Sequence, residues 1–379
     1  MLIKSSKVWL AGQFYPAVIE ITKDKITNIL SYETKVDVDY GNKRIIPGII
    51  DIHCHGAYDW DTNDATPEGL KYWASHIGEE GVTSFLPTTI TQSEEILTKA
   101  VSNVANVIES EYDGAEILGI HFEGPYLSKE YKGAQPEQYV VKGDIEQFNR
   151  YQKAAKGHII YITLSPETDP NYKFIEYLNS NGVTVSCGHS AATYDQALMA
   201  WAHGAKSMTH VYNGMSGFNH RNNGLVGSAF RFKNMYGEII ADCKHSTAAA
   251  LNIFATAKGP DYTIMITDSL LAKGLPVGTK RIFGGQEITI SPNGLALLNN
   301  GTIAGSTLHS NIGLKNMIEE ALIPVETAIN AATINPARCI GVDNHKGSIQ
   351  VGKDADIVVL DDDYSIIQTY ARGITQINK

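Results

Sequence analysis

The chain has 379 residues, 43% of them hydrophobic and 19% charged, with a formal net charge of -10. That composition describes a folded globular chain, not a disordered or fibrous one, long enough for one large domain and a small companion. The net acidity excludes a broad nucleic-acid footprint, which needs clustered Lys and Arg. A small anionic ligand stays open, because a local cation or backbone N–H groups suffice to hold one.

Residues 1–10 lack the apolar core and small-residue cleavage pattern of a signal peptide. No stretch approaches the ~20 apolar residues of a membrane helix, so no membrane partner is expected. Cys54, Cys187, Cys243 and Cys339 follow no framework spacing. Reduced thiols in a cytoplasmic protein are the expectation.

Residues 1–46 read as short alternating strands with turn residues between them, as at 18–22. Near-continuous apolar runs follow at 45–53, 82–88, 117–123, 159–165, 183–188, 206–211, 238–242 and 263–268. Their spacing, roughly 25 to 40 residues, is that of a strand, a helix and two loops. Helical character occupies 67–80, 93–111, 171–180 and 194–202. Unbroken apolar strands alternating with amphipathic helices predict a parallel sheet covered by helices. Eight such units close best as a (β/α)8 TIM barrel over 47–344. The tail, 345–379, returns to short alternating strands, as at 355–360. The expected α/β fold is this barrel plus a small β-sandwich built from both termini, 1–46 with 345–379.

Almost every apolar run ends in a group able to do chemistry, and in a barrel the C-terminal strand ends form the active-site mouth. In His53-Cys54-His55, residues i and i+2 share a side of the strand, so both imidazoles can chelate one divalent ion. Alone, such a pair is a weak signal. Glu123, in His121-Phe122-Glu123-Gly124-Pro125, is by itself more often a turn or capping feature. His189 and His210, taken singly, read as buried histidines bonded to neighbouring carbonyls, and Asp268 as a helix N-cap. Four histidines and two carboxylates at the ends of five different strands are not what chance core placement predicts. Glu123, His189 and His210 make three protein ligands with one position left open, as a catalytic zinc site requires. Asp268 is then the candidate to take a proton from water and deliver it to a departing amine. The donor set suits zinc, iron, cobalt or manganese.

These residues resemble the amidohydrolase superfamily and, within it, the N-acetylglucosamine-6-phosphate deacetylase family. The likeness runs over essentially the whole chain. It begins at Pro47-Gly48-Ile49-Ile50-Asp51-Ile52-His53-Cys54-His55-Gly56 and continues through His121–Pro125, Lys132-Gly133-Ala134 and Gly188-His189-Ser190. Thr209-His210-Val211-Tyr212-Asn213-Gly214-Met215, Ile240-Ala241-Asp242-Cys243-Lys244-His245 and Ile266-Thr267-Asp268 follow. Ala304-Gly305-Ser306-Thr307-Leu308 is similar to the family's late substrate loop. Lys346-Gly347-Ser348-Ile349 through Gly352-Lys353-Asp354-Ala355-Asp356 is similar to its C-terminal signature.

The resemblance implies deacetylation of N-acetylglucosamine 6-phosphate, with Glu123, His189 and His210 on a main divalent metal and Asp268 as acid/base. It implies one or two ions per subunit, zinc or iron first, with His53 and His55 completing a second site. His245, Ser306 and backbone N–H groups around Asn213 and Gly214 would meet the substrate. Arg221 would reach a phosphate in the neighbouring subunit of a homodimer; a planar guanidinium pairs two phosphate oxygens. Without the resemblance, Arg221 is a solvated loop charge.

Four positions depart from the family pattern. Gln135 stands where a substrate-contacting histidine is usual, and can hydrogen-bond but carries no charge. Arg221-Asn222-Asn223-Gly224 replaces Arg-Glu-Pro-Gly, Asn213-Gly214 replaces Asn-Ala, and Asp242-Cys243 replaces Asp-Gly. All lie near the sugar or phosphate, which leaves N-acetylgalactosamine 6-phosphate as the nearest alternative substrate. Superfamily branches acting on cyclic amides, dipeptides or aminated bases commonly carry a metal-bridging lysine at the fourth strand. Leu164-Ser165-Pro166-Glu167 has none. A non-catalytic sugar-phosphate binder is disfavoured by Asp268, because binding alone needs no proton shuttle.

Overall fold

The computed structural model describes residues 1–377. The barrel strands are β1 (Ile49–Cys54), β2 (Val82–Thr89), β3 (Ile120–Glu123), β4 (Ile159–Leu164), β5 (Thr184–Cys187), β6 (Ser207–Met208), β7 (Gly237–Ile240) and β8 (Thr263–Ile266). Strands β1 to β6 pair in chain order, all parallel, and β7 pairs with β8 in the same sense. Backbone hydrogen bonds join the two sets. Met208 N–H reaches the Tyr236 carbonyl at 3.1 Å and Val211 N–H that of Glu238 at 2.8 Å, while Asp268 N–H reaches His53 at 2.9 Å. Nearly every strand residue is buried. Both faces of the sheet are therefore covered, which is why the strands read as continuous apolar runs.

Helices Pro67–His76, Glu94–Ile108, Ile145–Ala154, Lys173–Ser180, Tyr194–Ala202, Gly224–Arg231 and Ala248–Lys258 follow β1 to β7 in turn. Several starts are written locally. The side chains of Ser93, Asp144, Thr193 and Thr247 each accept a first-turn N–H, satisfying donors that lack a partner within the helix. Two expected runs are interrupted. The run at 45–53 divides at Gly48, whose N–H goes to the Asp356 carbonyl at 2.8 Å, so Arg44–Pro47 joins the terminal sheet while β1 enters the barrel. The run at 117–123 divides into Glu116–Ile117 and β3.

The termini build one eight-stranded sheet, in the order Ile374–Thr375, Ile366–Ala371, Ile357–Leu360, Arg44–Pro47, Leu2–Leu10, Gln13–Thr22, Lys25–Leu30, with Val38–Asp39 also on Leu2–Leu10. Ile19 and Ile26 from one end share an apolar cluster with Val359 and Tyr370 from the other, so the sheet folds over on itself around a small core. Strand alternation gives the same strands a second face. Ile46, Val358 and Leu360 pack into the barrel core.

One element was not expected. Between β8 and helix Ser310–Lys315 lies an antiparallel three-stranded sheet, Lys280–Phe283, Gln286–Ile290 and Ala296–Leu298. Its Phe283, Ile288 and Leu298 pack with Ile90 and Leu270 from the barrel loops, covering one side of the mouth. The hairpin signal was present: Gly284 and Gly285 both take positive φ, 56° and 82°, as a tight two-residue turn demands. Among the described residues, no helix is long and apolar enough to cross a membrane.

Candidate metal centre

Three of the expected site residues lie just past their strands in the left-handed region: His189 at φ 46°, His210 at 28° and Asp268 at 49°. Such backbone costs a non-glycine residue on the order of 1–3 kcal/mol and persists where surrounding structure imposes it. Here it turns all three side chains over the mouth.

Glu123 is the hub. Its Oε1 lies 3.3 Å from His189 Nε2, 3.3 Å from His210 Nε2 and 3.4 Å from His53 Nε2. Its Oε2 lies 3.2 Å from His55 Nε2. Asp268 Oδ1 stands 3.3 Å from His55 Nε2 and 3.5 Å from His53 Nε2. Two groups can each hold an ion, His53–His55–Glu123 and Glu123–His189–His210, with the donor atoms of each within 4.8 Å of one another.

The imidazoles are aimed as ligands. His189 Nδ1 meets the Tyr131 carbonyl at 2.8 Å and His210 Nδ1 that of Asn213 at 3.1 Å. A carbonyl only accepts, so each Nδ1 carries the proton and each Nε2 presents a lone pair. Those two Nε2 atoms lie 3.1 Å apart with no proton available to both. His53 Nδ1 meets Glu238 Oε2 at 3.0 Å, which turns its Nε2 inward by the same logic. His53 Nε2 and Glu123 Oε1 are buried without a hydrogen-bond partner. A divalent cation satisfies all of these atoms together, so the residues fit a metal.

The electrostatics agree. Burial would raise the Glu123 carboxyl, but His53 and His189 hold it well below the usual carboxylate range. Burial likewise opposes charge on His53 and His55, yet Glu123 and Asp268 push them up to about 9 and about 10. The ion-pair partners of Glu123 and Asp268 among the described residues are all imidazoles. A buried site whose field favours positive charge, with no Lys or Arg supplying it, is built for a cation from outside.

The centre opens into a cavity of about 270 Å³, reached by Gln135, Asn213, Gly214, His245, Gly305 and Phe283. His245 is fixed by Asp242, whose Oδ2 accepts from Nδ1 at 2.7 Å, leaving Nε2 toward the cavity. Gly214 takes φ 57°, and a Cβ there would lie 2.9 Å from His189 Nδ1, so glycine keeps the ring's orientation clear. Three of the expected substrate contacts also make hydrogen bonds within the chain. The Asn213 N–H donates to the His210 carbonyl at 3.0 Å in the tight turn after β6, and its own carbonyl orients the His210 ring. Ser306 Oγ donates to the Thr267 carbonyl at 2.5 Å and accepts from Leu308 N–H, pinning the late loop beside β8. Gln135 turns its amide to Glu123, Nε2 donating to Oε2 at 2.6 Å. Arg221 is exposed on the loop before helix Gly224–Arg231 and is not among the cavity residues.

Sequence reasoning missed the layer beneath. Glu238 accepts from His53, from the His210 N–H at 3.2 Å and from the Tyr161 hydroxyl at 2.6 Å. Asp51 accepts from Thr267 Oγ1 at 2.6 Å, and His121 Nε2 meets Thr163 Oγ1 at 2.8 Å. The available signal was strand periodicity. Asp51 and His121 each sit two residues before a metal-facing residue, on the same side of the strand.

A family model described as the amidohydrolase family matches residues 44–377. The N-acetylglucosamine-6-phosphate deacetylase of Bacillus subtilis (strain 168) is 42% identical over 334 residues, 87% of this chain and 83% of that protein. The chain belongs to the amidohydrolase family, in its N-acetylglucosamine-6-phosphate deacetylase branch. Another amidohydrolase relative is the N-acetylgalactosamine-6-phosphate deacetylase of Escherichia coli O157:H7, 33% identical over 329 residues, 87% of this chain and 86% of that one. Among solved amidohydrolase structures, N-acetyl-D-glucosamine-6-phosphate deacetylase from Mycobacterium smegmatis was determined as an aspartate-to-alanine mutant in complex with N-acetyl-D-glucosamine-6-phosphate. It superimposes with TM-score 0.94 at 27% identity, covering 100% of this chain and 99% of that one.

Proposed function

We propose that the chain hydrolyses the acetamide of N-acetylglucosamine 6-phosphate, giving acetate and glucosamine 6-phosphate. The observation that carries this reading is the convergence of Glu123, His189 and His210 on one point, with Asp268 facing the same cavity. The galactosamine alternative gains no support of its own, since the relative of that name is the less similar, 33% against 42%.

Glu123, His189 and His210 would hold the main ion, and His53 and His55 with Glu123 a second, with zinc or iron the metals these donors suit first. When bound, a divalent ion supplies Lewis acidity toward water and toward an amide carbonyl. Asp268 takes the proton from the attacking water and returns it to the amide nitrogen, which leaves poorly unless protonated. Its neighbours hold the carboxyl below its ordinary value against the opposing effect of burial, so it starts as the base. His245 presents Nε2 to the substrate phosphate beside Gly214. Arg221, free of the cavity of its own chain, reaches the phosphate held by a second copy, which makes the working unit a homodimer.

Acetate release from N-acetylglucosamine 6-phosphate, measured with and without a chelator, tests the reaction. Asp268→Asn is expected to keep its metal and lose about 10²–10⁴-fold in kcat. Absence of acetate from every N-acetylhexosamine phosphate offered to metal-loaded protein rejects the reaction. Parental turnover by Asp268→Asn removes that residue from its role.

A further inference from the structure

We propose that Gln135 is a positioning residue that makes the two ion sites unequal, by tying up one oxygen of Glu123. The inference rests on the reading of this centre as a metal site. Among the described residues, Glu123 is the side chain common to both ion-holding groups, so its two oxygens decide how the sites share it. Oε1 faces His189 and His210 at 3.3 Å and His53 at 3.4 Å, is buried, and receives no hydrogen bond. Oε2 faces His55 at 3.2 Å and accepts the Gln135 amide at 2.6 Å.

Gln135 cannot turn away freely. It is 3% exposed, and its Oε1 accepts the Thr91 N–H at 2.8 Å. A flipped amide would set oxygen against carboxylate and NH2 against N–H, two repulsive contacts in place of two hydrogen bonds. The glutamine therefore clamps the carboxylate plane. Oε1 keeps its lone pairs for an ion at His189 and His210. Oε2 shares its lone pairs between the amide and the His55 side, and a neutral donor draws charge from the oxygen that faces a second ion there.

The test is stepwise Zn²⁺ titration of chelator-stripped protein against a chromophoric competitor, with elemental analysis of the end points. The parent is expected to bind its second ion at least about tenfold more weakly than its first. Gln135→Glu keeps size and the acceptor for Thr91 N–H but replaces the donor with an anionic oxygen. It should tighten the second step by about tenfold or more and leave the first within about threefold. Gln135→Leu should shift the ratio in the same direction, and if it fails to fold, Gln135→Glu decides alone. A parental ratio in Gln135→Glu, an equal change in both steps, or two equal affinities in the parent overturns the proposal. Protein that binds no Zn²⁺ tightly overturns the metal reading itself, whereas two bound ions in an unaltered ratio overturn only the role of Gln135.

Discussion

Two buried clusters in this molecule gather carboxylates, and they neutralise them in opposite ways. Where the terminal sheet meets the barrel, the fully buried Lys346 places its Nζ 2.5 Å from Glu116, 2.8 Å from Asp354 and 2.7 Å from Asp356. At the mouth, Glu123 and Asp268 are ringed by four imidazoles, with buried donor atoms left unmatched. Both clusters crowd largely buried carboxylates together, so both need positive charge. The first carries its own, as a covalent part of the chain, and is finished on folding. The second has no lysine among its ion-pair partners, and sets imidazole nitrogens around its carboxylates where a divalent ion can use both. The presence or absence of an internal lysine separates a structural charge cluster from a chemical one.

The sharpest way to break that contrast is to remove the internal cation. Lys346→Met leaves three carboxylates facing a methyl group, and loss of one partner from a buried ion cluster costs about 3–5 kcal/mol. Urea denaturation should report a loss of that size, with the metal content of the folded fraction unchanged. A stability within about 1 kcal/mol of the parent would show that the carboxylates find water or protons instead. Stripping the metal with a chelator should do the reverse, emptying the mouth while leaving the Lys346 junction in place.

A second internal cation gives the same logic a pH signature. Lys273 Nζ lies 3.0 Å from both oxygens of Glu80, which also accepts from Tyr58 at 2.5 Å and from the Ser310 N–H at 3.0 Å. Burial would raise the Glu80 carboxyl, but Lys273 and His309 bring it from 4.5 to about 2. A depressed carboxylate contributes stability in full above its unfolded pKa and loses it as pH falls through the folded one. The contribution is about 3 kcal/mol, lost between pH 4.5 and about 2. Stability measured across that window should fall more steeply for the parent than for Glu80→Gln. Parallel curves would assign the acid limb to other carboxylates.

How much of this was legible depended on the kind of signal. The barrel could be read because parallel strands covered on both faces leave unbroken apolar runs, and because chemistry-bearing residues recur at their ends. His53, His55, Glu123, His189, His210 and Asp268 were found through that recurrence, and the structure brings them together. The three-stranded sheet over the mouth escaped because its strands are short and half exposed, with Gly284-Gly285 as its main mark. The run Lys346 to Asp356 could be matched as a signature, but its reason is a set of contacts from Glu116 and two later aspartates that no local pattern announces. Gln135 was read from its family position as a sugar contact. Its bond to Glu123 depends on loops far apart in the chain, and spacing carries no information about which way an amide turns.

Glu238 offers the finest test, because it stands between the two designs: a buried carboxylate with no lysine and no unmatched oxygen. Its Oε2 accepts from His53 Nδ1 and the His210 N–H, and its Oε1 accepts from the Tyr161 hydroxyl. Glu238→Gln keeps the shape but supplies only one acceptor oxygen. With its oxygen toward His53 and the His210 N–H, the amide's NH2 meets the Tyr161 hydroxyl, which can accept it, so what His53 loses is the negative charge behind its ring. Removing a carboxylate behind a ligating histidine typically weakens metal binding by about 10–100-fold, or about 1.4–2.7 kcal/mol. The loss should fall mainly on the second Zn²⁺ step, through His53, and less on the first, where His210 is touched only at its backbone. That is the direction opposite to Gln135→Glu, measured in the same titration. Equal loss at both steps would mean that Glu238 organises the barrel interior as a whole, whereas no loss would mean that packing against His121, at 4.5 Å between ring centroids, already holds the His53 ring in place.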